Sequence, residues 1–119
     1  KRADVVSINV ISGAETENFI SKRELDLMKP TAILINVDQG KQVDTEAIYQ
    51  ALKEKRIAGA GLDQVAGLTK DHPILKLDNV VFTPHAGSST NESFRENLPE
   101  LIVSAVEEFI KGSPKNLVN

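Results

Sequence analysis

Thr31-Ala32-Ile33-Leu34-Ile35-Asn36 is a short apolar run that stops on a polar residue, and the loop, helix and second strand after it decide the fold. The loop Val37-Asp38-Gln39-Gly40-Lys41-Gln42-Val43 leads to Asp44, an N-cap residue type. A helical stretch comes next, from about Thr45 to Lys55, with Ile48, Ala51 and Leu52 on one face. Ile57-Ala58-Gly59-Ala60-Gly61-Leu62 then reads as a strand whose small residues permit close helix packing, and Asp63 ends it. Strand, helix and strand in that order predict a parallel pair joined by a right-handed crossover.

The same alternation extends both ways. Upstream, Asp4-Val5-Val6-Ser7-Ile8-Asn9-Val10 reads as a buried strand closed by Ser12-Gly13. Ser21-Lys22-Arg23-Glu24 is a capping-box pattern that opens a helix through Met28, ended by Lys29-Pro30. Downstream, a polar loop from Gln64 to His72 passes through Pro73-Ile74-Leu75 to a strand from Asn79 to Thr83. A last helical stretch runs from about Thr90 to Lys111. Pro99 inside it predicts either a kink or two helices with Pro99 near the second N-terminus, and Gly112 is a natural stop. The class is α/β, a parallel sheet of about four strands with flanking helices. No repeat or Pro/Gly/Ser-rich linker divides the chain, so residues 1–119 read as a single domain.

Composition narrows the function classes. The net charge is −3, and Lys and Arg are scattered rather than gathered on a stripe, so neither nucleic acid nor an anionic membrane is an expected partner. There is no cysteine and no signal-like or long apolar segment, which predicts a reduced, cytoplasmic setting. With only two histidines, no transition-metal site is expected. The chain opens Lys1-Arg2-Ala3 and runs directly into a strand, which reads as a cut from a longer protein.

Placing the strand ends collects the chemistry. Asn36 to Gly40, Asp63 and His85 all come directly after strands, on the edge of a parallel sheet where ligands bind. Asn79-Val80-Val81-Phe82-Thr83-Pro84-His85-Ala86-Gly87-Ser88 delivers a histidine, able to move protons near neutral pH, to a turn. A histidine that merely caps or fills a loop is the alternative. Gly87-Ser88-Ser89-Thr90 reads equally as an anion-facing turn or a helix cap, and His72 as a residue that orders a turn.

The chain resembles the D-isomer-specific 2-hydroxyacid dehydrogenases. The resemblance rests on Ala3-Asp4-Val5-Val6, Met28-Lys29-Pro30, Ala32 to Asn36, Gly40 with Val43-Asp44, Ala58 to Asp63, Asp71-His72-Pro73, Asn79-Val80-Val81, Thr83-Pro84-His85 and Asn116 to Asn119. It implies the second half of a Rossmann-type, doubly wound NAD-binding domain, the half that supplies the nicotinamide end of the site. Gly59-Ala60-Gly61 lacks a third glycine and sits in a strand, so it is no diphosphate cradle.

By the same resemblance, His85 is the general acid and base toward a small 2-hydroxy or 2-keto acid. Ile11, Thr16, Val37, Asp38, Asp63, Ala86, Gly87 and Ser88 line the cofactor, with Asp63 bonding the nicotinamide carboxamide. The pattern also departs from the family. Gln39 stands where the substrate-binding arginine is expected. The loop Gln64-Val65-Ala66-Gly67-Leu68-Thr69 has no acidic residue, with Leu68 at the offset of the expected glutamate and Asp71 as a conceivable substitute. Asp38 adds a negative charge beside an anionic cofactor, which puts NAD binding by the isolated chain in doubt.

Three readings stand side by side. The chain is a dehydrogenase fragment expected to be inactive in isolation, a catalytically silent cofactor-binding module, or a structural, self-associating half-Rossmann scaffold. The strand from Asp4 to Val10 lies at an open edge, which predicts pairing with the missing first half or with a second copy in a homodimer.

Overall fold

The computed structural model describes residues 2–86 and 98–113. The chain divides into two compact units, residues 1–87 and 88–119. In the first, β1 (Val5–Ile8), β2 (Ile33–Asn36), β3 (Gly59–Leu62) and β4 (Val80–Phe82) form one parallel sheet in sequential order.

The register explains which residues make the core. The rungs Val6-Leu34-Ala60-Val80 and Ile8-Asn36-Leu62-Phe82 alternate with Val5-Ile33-Gly59 and Ser7-Ile35-Gly61-Val81. Residues two apart share a face. The first set therefore faces the core, where Ile8, Leu34, Ala60 and Leu62 join Leu25, Ile48, Ala51, Leu52, Ile57 and Ile74 in one buried cluster. The opposite face is open, with Val5 58% and Val81 67% exposed.

Two expectations change here. β1 stands at the sheet edge, as the sequence predicts, but it is not the buried strand expected: its second face is uncovered and only Ile8 in it is buried. Of the small residues in β3, only Ala60 faces the helices. A Cβ at Gly59 would lie 3.0 Å from the Asn79 carbonyl oxygen and one at Gly61 3.1 Å from Ile35 Cδ1, so these glycines make room within the sheet and its open face.

The connections obey their caps. After a 3-10 turn at Ala14–Thr16 comes α1 (Lys22–Leu25). The Ser21 N–H and hydroxyl both donate to Glu24 Oε2, at 3.1 and 2.6 Å. Together with Arg23, that hydroxyl holds the Glu24 carboxyl down at about 2. The contribution is present above the ordinary value of 4.5 and is lost as pH falls through about 2. α1 stops short of Met28 because the Leu27 and Met28 N–H groups turn to the carbonyls of Glu24 and Leu25, three residues back, tightening the chain before Pro30.

α2 (Thr45–Lys53) is capped by Asp44, whose carboxylate accepts from the Glu46 and Ala47 N–H groups at 3.0 Å. It ends two residues before the expected Lys55, in a Schellman turn. Lys55 is left-handed at φ 54°. The Lys55 N–H donates to Leu52 O at 3.1 Å and that of Arg56 to Ala51 O at 2.8 Å.

Between β3 and β4 the chain makes a 3-10 turn at Pro73–Lys76. His72 orders it, as the sequence suggested. Its Nδ1 accepts the Ile74 N–H at 3.2 Å while its ring meets Tyr49 edge-on. The loop after β3 is pinned down earlier, where Thr45 Oγ1 donates to Ala66 O at 2.8 Å. Gly40 lets it approach, since a Cβ there would lie 2.5 Å from Ala66 N.

In the second unit, α3 (Leu98–Ile110) carries Pro99 in its first described turn. It ends as expected at Gly112, φ 72°, with the Ser113 N–H donating to Glu108 O at 3.1 Å. The expected start near Thr90 lies outside the described residues. Among the described residues no helix is long and apolar enough to cross a membrane.

Two substitutions test these contacts. Gly40→Ala is expected to cost about 1–3 kcal/mol in denaturant unfolding and to move the Val65 and Ala66 amide resonances. Lys55→Gly relieves a left-handed side chain and is expected to stabilise by up to about 1 kcal/mol in the same assay.

Candidate functional site

The backbone ladder runs past the strand ends and builds the site. The Asp63 N–H donates to Asn36 O at 2.9 Å, that of Thr83 to Leu62 O at 3.1 Å, and that of His85 to Asp63 O at 2.8 Å. Asn36, Asp63 and His85 therefore lie in adjacent positions on the carboxyl edge of the sheet.

Asp63 is 4% exposed. An ionised carboxylate so buried is costly unless hydrogen-bonded. Its Oδ1 accepts from the Thr83 hydroxyl and, at 2.9 Å, from the Ala86 N–H. Its Oδ2 lies 3.9 Å from His85 Nδ1. That separation is too long for a hydrogen bond and makes an ion pair when the ring is protonated. The His85 side chain is 60% exposed, and its backbone holds the left-handed φ of 55°.

The loop after β2 is folded on itself. Asn36 is fully buried, its Nδ2 donating to Gln39 O and its Oδ1 accepting the Asp38 N–H, both at 3.2 Å. Asp38 Oδ1 accepts the Gln39 N–H at 2.8 Å, so that carboxylate is turned onto its own loop. Val37 and Gln39 are both left exposed on the surface, and Asp38 between them is half-buried.

The loop after β1 is stitched by Thr16, whose hydroxyl donates to Ile11 O at 2.8 Å and accepts the Gly13 N–H at 2.9 Å. Ile11 is exposed. Gln42, fully buried, ties the loops after β1 and β2 together by donating from Nε2 to Val10 O at 3.3 Å. Its Oε1 has no hydrogen-bond partner among the described residues.

The expected glutamate position holds no carboxylate, and Leu68 there packs with Val65 against the core. Asp71 is exposed. Within ion-pairing distance of His85, among the described residues, stands Asp63. Ala86 joins the site through its backbone N–H, while Gly87 and Ser88 lie outside the described residues. Thr83, which binds Asp63, belongs to the site structurally although sequence reasoning left it out, and Asn36, already placed at this edge, gains the role of bracing the Gln39 loop. The signal for both was their polarity at the last position of an apolar strand.

Residues 1–87 match the family model described as the D-isomer specific 2-hydroxyacid dehydrogenase NAD binding domain. The whole chain is 46% identical to a glyoxylate reductase of Thermococcus litoralis, of which it covers 36%. Its fold matches the NAD-complexed D-isomer specific 2-hydroxyacid dehydrogenase from Lactobacillus delbrueckii ssp. bulgaricus with a TM-score of 0.79 at 36% identity, covering all of this chain and 40% of that one. An acyclic imino acid reductase in complex with NADPH and D-Arg matches with a TM-score of 0.83 at 39% identity, covering all of this chain and 38% of that one. The chain thus spans little more than a third of the length of these relatives. With its parallel sheet and its strand-end histidine, it belongs to the D-isomer specific 2-hydroxyacid dehydrogenase family, within the NAD-binding domain.

Proposed function

We propose that this chain supplies the nicotinamide side of an NAD(H)-dependent site that interconverts a small 2-hydroxy acid and its 2-keto acid within a longer dehydrogenase. The observation that carries the reading is the seating of His85 beside buried Asp63 on the carboxyl edge of the sheet. The same edge suits a dinucleotide: Asp63 offers a fixed acceptor to a carboxamide, and Ile11 and Val37 offer exposed apolar surface. Thr16, Asp38 and Ala86 would line it, and Gly87 and Ser88 are proposed as further cofactor contacts by the family resemblance. When bound, the cofactor supplies or accepts the hydride. His85 then gives a proton to the keto oxygen on reduction and takes it back on oxidation.

Gln39 occupies the substrate anchor. A neutral amide there forgoes the paired, charge-assisted hydrogen bonds of a guanidinium, worth about 1.5–3 kcal/mol or roughly 10- to 100-fold. Residues 1–119 would act as one partial dinucleotide-binding domain. The open edge of β1 would pair with the first half of that domain or, in a homodimer, with a second copy. The cysteine-free composition supports a cytoplasmic setting.

A second reading, a catalytically silent cofactor-binding module, is favoured by one observation: Leu68 is packed on the core where a catalytic carboxylate would stand. Fluorescence titration with NADH, then assay with 2-keto acids alongside the preceding segments of a related dehydrogenase, separates the two. Expected are NADH binding, turnover abolished by His85→Ala, and a gain of about 10- to 100-fold in kcat/KM for Gln39→Arg. NADH binding without turnover in either form supports the silent module. Absence of both overturns the cofactor reading itself.

A further inference from the structure

We propose that Asp63 is the positioning carboxylate of His85, in the place that the loop 64–69 leaves without an acidic side chain. The proposal rests on the reading of His85 as the proton-transferring residue. Its grounds are geometric. Asp63 grips the histidine turn at consecutive points: its carbonyl oxygen accepts the His85 N–H at 2.8 Å, and its carboxylate accepts from Thr83 and Ala86 on either side. Such a grip accounts for a non-glycine residue held at φ 55°, a conformation that persists only where its surroundings over-determine it.

The carboxylate is 4% exposed and held by the Thr83 hydroxyl and the Ala86 N–H, whereas the ring it faces is 60% exposed, so the carboxylate is the anchored member of the pair. Other acids near the edge are committed elsewhere or stand apart. Asp38 Oδ1 is turned onto the Gln39 N–H, Leu68 fills the glutamate position from the core side, and Asp71 is exposed beyond it. Oδ2 lies 3.9 Å from Nδ1, beyond a hydrogen bond, so the preference is electrostatic: the carboxylate charge favours the neutral tautomer that turns its N–H dipole, on Nδ1, toward Asp63. Nε2 is then the atom that exchanges a proton with substrate.

The test reads the ring directly, in the full chain and without cofactor. Nitrogen-15 NMR at a pH where both rings are neutral gives the tautomer of each histidine. His72, whose Nδ1 accepts the Ile74 N–H, provides the Nε2–H reference. His85 is expected as Nδ1–H. Asp63→Asn keeps an oxygen for Thr83 and Ala86 but removes the charge. It is expected to lower the Nδ1–H to Nε2–H ratio of His85 by about three- to tenfold while the Ala86 amide resonance stays in place. Thr83→Val, which keeps the charge, is expected to leave the ratio unchanged.

A wild-type ring found mainly as Nε2–H overturns the proposal, whether or not the Asn variant folds. So does an unchanged ratio in a folded Asp63→Asn chain. Failure of NADH binding would instead strike at the cofactor reading and leave the tautomer result standing.

Discussion

A carboxylate buried at the end of β3 is the constraint on which the functional edge depends. Burial of an ionised group is tolerated only when donors surround it, and Asp63 finds them in the hydroxyl and backbone N–H that flank His85. Satisfying the carboxylate and placing the histidine are thus one structural act. The ladder bonds from Asn36 to Asp63 and from Asp63 to His85 carry the sheet's spacing into the loops, so the strand register also sets the spacing of the site.

The same sheet explains the asymmetry around it. Rungs that include Leu34, Ala60 and Leu62 press against α1, α2 and the turn at Pro73–Lys76, and nearly all the buried apolar volume collects on that side. The alternate rungs carry Val5, Ile33 and Val81, all left exposed, beside Ser7, Gly59 and Gly61. β1 and β4, each paired along one edge only among the described residues, are the least enclosed strands. In a chain that spans little more than a third of its relatives, these exposed surfaces are where the rest of a larger fold would add layers.

Local signals were read well because their causes are local. Ser21 with Glu24, Asp44 at the start of α2 and Gly112 after α3 each act within a few residues, and a sequence displays such neighbours directly. Two departures are local as well: α1 gave up its last turn to three-residue bonds, and Lys55 took a left-handed cap usually left to glycine. The uncovered face of β1 is the one that tertiary packing decided. At the site, the strand ends and His85 were legible because apolar runs announce them. The role of Thr83 was not, since its hydrogen bond to Asp63 crosses from one strand end to the next and leaves no mark in the spacing.

The sequence by itself determined the strand and helix order, the parallel sheet, the family and the absence of the expected arginine and glutamate, all properties of residue type and order. Only the tertiary structure decided which carboxylate faces His85, that Leu68 serves the core, and that Gly40 exists to admit the loop at Ala66. Those facts depend on atoms separated by about twenty or more residues coming within a few ångströms, and it is the register of the sheet that brings them there.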